Sequence, residues 1–124
     1  MPWTHQISDD GKTLKVKYEG TFVAGELRQA TEDILSIMLE KKIMRVLLDC
    51  YDAHFDVPII GVYQLPDLYE ARGIPRKTRA AVILPKDHYR QELYEFYEDV
   101  CSNRGYFVKL FEDAAEAWKW LQES

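Results

Sequence analysis

Three short, almost continuously apolar segments constrain this chain more than anything else in it: MRVLLDC (residues 44–50), RAAVILP (79–85) and YFVKLFED (106–113). A strand that is apolar on both sides needs cover on both sides, as in a parallel sheet clad by helices. The intervening sequence supplies the cover. In residues 23–42 Leu27, Ala30, Ile34, Ile37 and Met38 recur at three- and four-residue steps, the stripe of an amphipathic helix, with Lys41 and Lys42 suited to its C-terminus. Asp87 is expected to cap a second helix, in which Tyr89, Leu93, Phe96, Tyr97, Val100 and Cys101 form the stripe and Gly105 marks the end. Asp113 with Glu116 resembles a capping box, so Ala114, Ala117, Trp118 and Leu121 are expected to face the core from a closing helix. Strand, helix and strand in this order imply right-handed parallel crossovers.

Two further features complete the plan. Residues 3–8 and 13–20 flank an Asp10-Gly11 turn signal, and Leu14, Val16 and Tyr18 alternate with Lys15, Lys17 and Glu19. That pattern predicts an antiparallel pair with one covered face. Residues 57–72 are mostly helical in pattern, but Pro66 removes an amide donor and disfavours helix at Leu65, so a kink or two short helices should result, with Gly73 ending the second. The predicted order is β-β-α-β-α-β-α-β-α without internal repeat. At 124 residues it reads as one α/β domain, with a mixed, mainly parallel sheet of five strands and about four helices.

Composition narrows the function classes. A net charge of −5 argues against a general nucleic-acid binder, which needs a basic surface. No apolar run approaches the roughly 20 residues of a membrane helix, and the first residues lack a basic segment followed by an apolar one, so the expected compartment is the cytoplasm. The two cysteines, Cys50 and Cys101, form neither a disulfide framework nor a CxxC pair and are read as small buried hydrophobes.

The order and several quoted segments together resemble the STAS family, the anti-sigma-factor-antagonist fold. The likeness is to its SpoIIAA-like branch, which is related in fold to CRAL-TRIO lipid-binding domains. YEGTFVAGEL resembles the family's strand, glycine and helix opening, MRVLLDC its central strand ending in Asp, and NRGYFVKLFEDAAEAWKWL its glycine turn, last strand and closing helix. In phosphorylatable members an Asp-Ser-Ser-Gly motif or a close variant follows the central strand. Here the corresponding residues are Asp56, Val57, Pro58 and Ile59, which retain the acid and offer no hydroxyl to a kinase. The resemblance thus implies a SpoIIAA/STAS-like module without the phosphorylation switch at this position.

Candidate chemistry lies in three places. Ligands of open α/β sheets bind beyond the carboxyl ends of the parallel strands. The loops after Asp49 and Leu84 are expected at that edge, gathering Asp49, Cys50, Asp52, His54, Asp56, Asp87 and His88. Such groups suit a divalent ion or proton transfer, but no HxH, HExxH or Cys/His spacing accompanies them, and Asp49 and Asp87 have simpler structural roles. Cys50 makes a poor nucleophile, because nearby acids raise its pKa. The second place is the basic cluster of Arg72, Arg76, Lys77 and Arg79. It suits an anion such as a phosphate or lipid head group, yet it enters its strand at the amino end, where a solvated loop with ion pairs is the simpler reading. The third is residues 57–73, whose Ile59, Ile60, Val62, Tyr63, Leu65, Leu68 and Tyr69 exceed what one stripe requires. This segment reads as a cavity lid, a partner interface or an ordinary core helix.

The candidate binding residues are therefore Asp49, Asp52, His54, Asp56, Ile60, Tyr63, Leu65, Tyr69, Arg76, Arg79 and His88, with no catalytic residue, metal or cofactor assigned. The leading expectation is a non-enzymatic regulatory module that binds a protein partner or a second copy of itself through residues 57–73. The alternative is a carrier of a small apolar molecule or lipid in a cavity beneath that segment. An enzyme using Asp49, His54 and His88 ranks last.

Overall fold

The computed structural model describes residues 2–123. Strands β1 (Trp3–Ile7) and β2 (Leu14–Val23) lead into helix α1 (Ala24–Lys41) and strand β3 (Arg45–Asp56). The short helices α2 (Ile59–Tyr63) and α3 (Leu65–Ala71) follow, then β4 (Arg79–Ile83), α4 (Gln91–Asn103), β5 (Phe107–Phe111) and α5 (Ala114–Gln122). The strands form one sheet in the order β1-β2-β3-β4-β5, in which β1 pairs antiparallel and every other neighbour pairs parallel. This is the mixed, mainly parallel five-stranded sheet the sequence predicts. Helices α2 and α3 are the halves of the segment that Pro66 divides.

Period-two alternation decides what each face buries. Leu14, Val16 and Tyr18 of β2, Val46, Leu48 and Cys50 of β3, and Ala80 and Val82 of β4 share a core with α1, α3 and α4. Ala81 and Ile83 turn to the other face, where Ala117 and Leu121 of α5 cover them. Helix α1 ends at Lys42 in the left-handed region (φ 56), and the amides of Lys42 and Ile43 return to the Leu39 and Met38 carbonyls. Pro66 sits in the first turn of α3, where a missing amide breaks no helical bond. At the β5 edge the Glu98 carboxylate accepts from the Leu110 amide at 3.0 Å.

Three expectations are corrected. Residues 51–56, read from sequence as a loop, are the second half of β3, because β2 also runs on past Gly20 and gives them a partner. The ladder pairs Glu19 with Asp52, Thr21 with His54, Phe22 with Phe55 and Val23 with Asp56, after a register shift between Lys17 and Glu19 that leaves one extra residue on β3. Asp87 does not cap α4. Its carboxylate accepts from the Tyr89 amide at 3.1 Å, α4 starts only at Gln91 after a left-handed Arg90 (φ 51), and Tyr89 lies outside the helix. Ala114 is exposed in the first turn of α5. Asp113, in contrast, does cap α5, accepting from the Ala115 amide at 2.7 Å.

The overhanging ends of β2 and β3 are fixed by aromatic packing. Phe22 meets Tyr18 edge-on at 5.3 Å and lies 5.1 Å from Phe55, which in turn approaches Tyr94 of α4 at 6.2 Å. Such contacts add to the burial of the rings themselves. Phe22 is fully buried, whereas Phe107 is 54% exposed. Phe22→Ala should therefore cost about 3–5 kcal/mol in urea unfolding, and Phe107→Ala less than about 1 kcal/mol. Equal losses would show that the overhang is not part of the core.

Candidate functional site

Between the sheet and the layer of α1, α3 and α4 lies a cavity of about 110 Å³. The sheet contributes Tyr18, Leu48 and Cys50 to it, and α1 contributes Ile34 and Met38. Leu65 and Tyr69 of α3 close it beneath the broken helix. Its size is of the same order as the roughly 150 Å³ of an engineered apolar site that accepts benzene. No Asp, Glu, Lys, Arg or His among the described residues lines it.

Several hydroxyls stand at this cavity, some paired and some not. The Tyr69 and Tyr97 hydroxyls hydrogen-bond each other at 2.6 Å, and the Thr31 hydroxyl donates to the Leu27 carbonyl at 2.8 Å. The hydroxyls of Tyr94 and Thr78 have no hydrogen-bond partner among the described residues, although Tyr94 is only 6% and Thr78 only 8% exposed. Tyr94 faces the Cys50 thiol without a well-formed hydrogen bond to it. Burial pushes the Cys50 thiol far up, an effect the Tyr94 hydroxyl opposes and the Asp49 charge reinforces. Burial likewise keeps the Tyr94 hydroxyl protonated, with the Cys50 thiol adding to the effect. Cys50 is thus a neutral wall of the cavity and holds no thiolate.

The carboxyl edge of the sheet brings some of the sequence-derived candidates together and separates others. His54 donates from Nε2 to Asp87 Oδ2 at 2.6 Å, and its ring stacks on Tyr89 at 4.2 Å. The penalty of desolvation at Asp87 is outweighed by hydrogen bonds from the Tyr89 amide and His54, which hold its carboxyl below the ordinary range. Asp52 is gripped by Lys17 and Lys86, each at 3.0 Å. Asp49 accepts from the Tyr51 amide at 3.0 Å and lies 3.7 Å from Lys17. His88 turns away to Gln91 at 2.7 Å and Glu112 at 3.6 Å, and Asp56 is exposed. No group of three or more His, Cys, Asp or Glu able to hold a metal ion occurs among the described residues.

The broken helix divides its apolar residues between two surroundings. Val62 and Leu65 are buried, while Ile59, Ile60 (55%) and Tyr63 (48%) are exposed, as is Val23 at the end of β2. The segment is clasped by Arg104, the residue just past α4, which pairs with Asp67 at 2.8 Å and also with Glu70. The three arginines of the basic cluster are engaged within the fold, whereas Lys77 is exposed. Arg76 stacks over the Tyr106 ring and bonds its hydroxyl, Arg79 donates to the Trp120 carbonyl at 2.8 Å, and Arg72 reaches Ser36. At the position where the resemblance would put a phosphorylated hydroxyl, Val57 is buried with its carbonyl taken by Arg90, and Pro58 caps α2. Sequence reading missed Tyr94 and Thr78. Tyr94 directly follows Leu93 on the α4 stripe, which is the one signal that it points inward.

No family model and no curated protein sequence matches this chain. Solved structures do. An uncharacterised DUF3478-family protein with a SpoIIAA-like fold from Shewanella loihica PV-4 aligns with a TM-score of 0.61 at 24% identity, over 96% of this chain and 91% of that one. The anti-sigma factor antagonist SpoIIAA in its unphosphorylated form aligns with a TM-score of 0.61 at 11% identity, over 98% and 99% of the two chains. The fold of this chain is SpoIIAA-like, as the resemblance implies.

Two measurements follow from these surroundings. Tyr94→Phe removes a buried hydroxyl that has no partner, so it should raise unfolding free energy by about 1 kcal/mol; a loss of stability would mean that the hydroxyl is satisfied in the folded chain. The hydrogen bonds from Lys86 and then Lys17 lower the Asp52 pKa. A carboxyl depressed by folding contributes stability above the ordinary aspartate range and loses it as pH falls through its folded value. NMR titration should find Asp52 ionising below that range, and Lys17→Met with Lys86→Met should return it there.

Proposed function

We propose that this chain is a non-enzymatic binding module that holds a small apolar molecule in the cavity beneath α2 and α3. The observation that carries this reading is the pair of unpartnered hydroxyls, Tyr94 and Thr78, on the wall of an otherwise apolar cavity. A core evolved only for stability replaces such groups with apolar ones or pairs them, because each costs the free energy of its lost hydration. A binding site retains them, since a ligand supplies the partner. The titratable groups of the cavity among the described residues are tyrosines and Cys50, which burial keeps neutral, so they provide neither a base nor a charged nucleophile. Helices α2 and α3 act as the cover, with the Arg104 pairs to Asp67 and Glu70 as the clasp.

A second reading rests on a separate observation. Ile59, Ile60, Tyr63 and Val23 leave apolar side chains in solvent at one end of the sheet, which suits a protein partner or a second copy of the chain. A protein of this fold, SpoIIAA, is an anti-sigma factor antagonist. In this chain such a role would operate without a hydroxyl at Val57 or Pro58.

Benzene tests the first reading and a surface charge tests the second. Titrated benzene should shift amide NMR signals of β3, α3 and α4, and Ala80→Leu, which fills the cavity, should abolish those shifts while the circular dichroism spectrum is retained. Shifts confined to Ile59, Ile60 and Tyr63 would reject the cavity as a binding site. Ile60→Asp should leave benzene binding intact and, if α2 is an interface, reduce the mass of any assembly in sedimentation.

A further inference from the structure

We propose that the cavity selects an uncharged molecule bearing a hydrogen-bonding group on an otherwise apolar body, and that the Tyr94 hydroxyl is the group that reads it. This rests on the reading of the cavity as a ligand site and specifies the class of ligand. The first observation is that no charged side chain among the described residues lines the cavity. A carboxylate or phosphate entering there would lose its hydration with no cation to compensate, a far larger penalty than one or two hydroxyls could offset. The nearby cations are already committed elsewhere: Arg104 to Asp67 and Glu70, Arg90 to the Val57 carbonyl, and Arg76 to Tyr106. Anionic fatty acids are thereby excluded, whereas alcohols, phenols, ketones and esters are admitted.

The second observation is where the two free hydroxyls sit along the sheet. Thr78 immediately precedes β4, where the Arg79 amide donates to the Met44 carbonyl at 2.9 Å. Tyr94 faces Cys50, six residues beyond Met44. The two residues therefore line opposite ends of the cavity, Thr78 toward the amino ends of the parallel strands and Tyr94 toward their carboxyl ends. Tyr94 is the one at the carboxyl edge of the parallel strands, where ligands of open α/β sheets enter. It also stands beside Leu93 under the broken helix, whereas Thr78 lies at the opposite, amino-terminal edge. A phenolic hydroxyl kept protonated by burial serves equally as donor to a carbonyl or ether and as acceptor from an alcohol.

Benzene, phenol and benzoate form a matched series of probes, titrated into the full chain at pH 7.5 and followed by amide NMR shifts. Phenol should bind about tenfold more tightly than benzene, the scale of one buried hydrogen bond, and benzoate should not bind. In Tyr94→Phe the advantage of phenol over benzene should vanish, while the benzene titration on the same variant reports that the cavity persists. Benzoate binding comparable to phenol, or a phenol advantage that survives Tyr94→Phe, overturns this proposal and leaves the cavity reading intact. Failure of benzene and phenol alike overturns both.

Discussion

The parallel ladder between β2 and β3 is the constraint from which the rest of this structure follows. Both strands outrun β4 and β5, and they do so together, pairing as far as Val23 and Asp56. Neither overhang would persist alone, because an extended segment leaves its amides and carbonyls without partners. Paired, they carry Phe22 and Phe55 into the core and hold them against Tyr18 and Tyr94. The overhang therefore places the start of α4, and with it the wall of the cavity. It also sends His54 outward, where Asp87 and Tyr89 receive it. The register shift at Lys17 and Glu19 is what sets Asp49 and Asp52 close enough to share one lysine.

The fold was legible wherever a segment carried one dominant pattern. The three apolar strands, the α1 stripe and the break at Pro66 each have a single cause, and each lies where its pattern puts it. The second half of β3 was misread because Asp, His and Cys in quick succession resemble loop composition. Its alternation, Asp52 and His54 outward against Ala53 and Phe55 inward, is a strand pattern in plain view. What hid it was the bulge, which breaks the period between Cys50 and Ala53. Asp87 was misassigned for a different reason: capping is a local preference, and the imidazole of His54, from another strand, competes for the same carboxylate. The candidate site was less legible than the fold. Leu65 and Tyr69 were named, but not that they face inward while Ile60 and Tyr63 face out. No pattern in one sequence marks a buried hydroxyl as unpartnered, because that depends on what the other elements fail to bring near it.

The two faces of the sheet divide the work of the molecule. The face under α5 is small and ordinary, with Ala81, Ile83, Ala117 and Leu121 in direct contact. The other face carries the larger core, the broken helix and every tyrosine of the cavity. Packing there is incomplete and leaves the cavity of about 110 Å³. The charged pairs at the carboxyl edge do not compensate for it, since exposed ion pairs contribute little. They act on geometry, tying the loop after β4 to the overhang of β3.

The Glu98 carboxylate at the Leu110 amide bears on how copies of this protein can join. An edge strand ordinarily offers its free amides to any passing strand of suitable register. On β5 one of those amides is occupied by a negative charge from the fold itself, and an incoming chain would have to displace that charge while adding its own carbonyl dipoles. The sheet is thus polarised in its capacity to grow: hindered at β5, open at the short antiparallel β1. Crowded copies of this chain are steered away from endless strand-to-strand stacking, because only one of the two edges accepts a further strand freely.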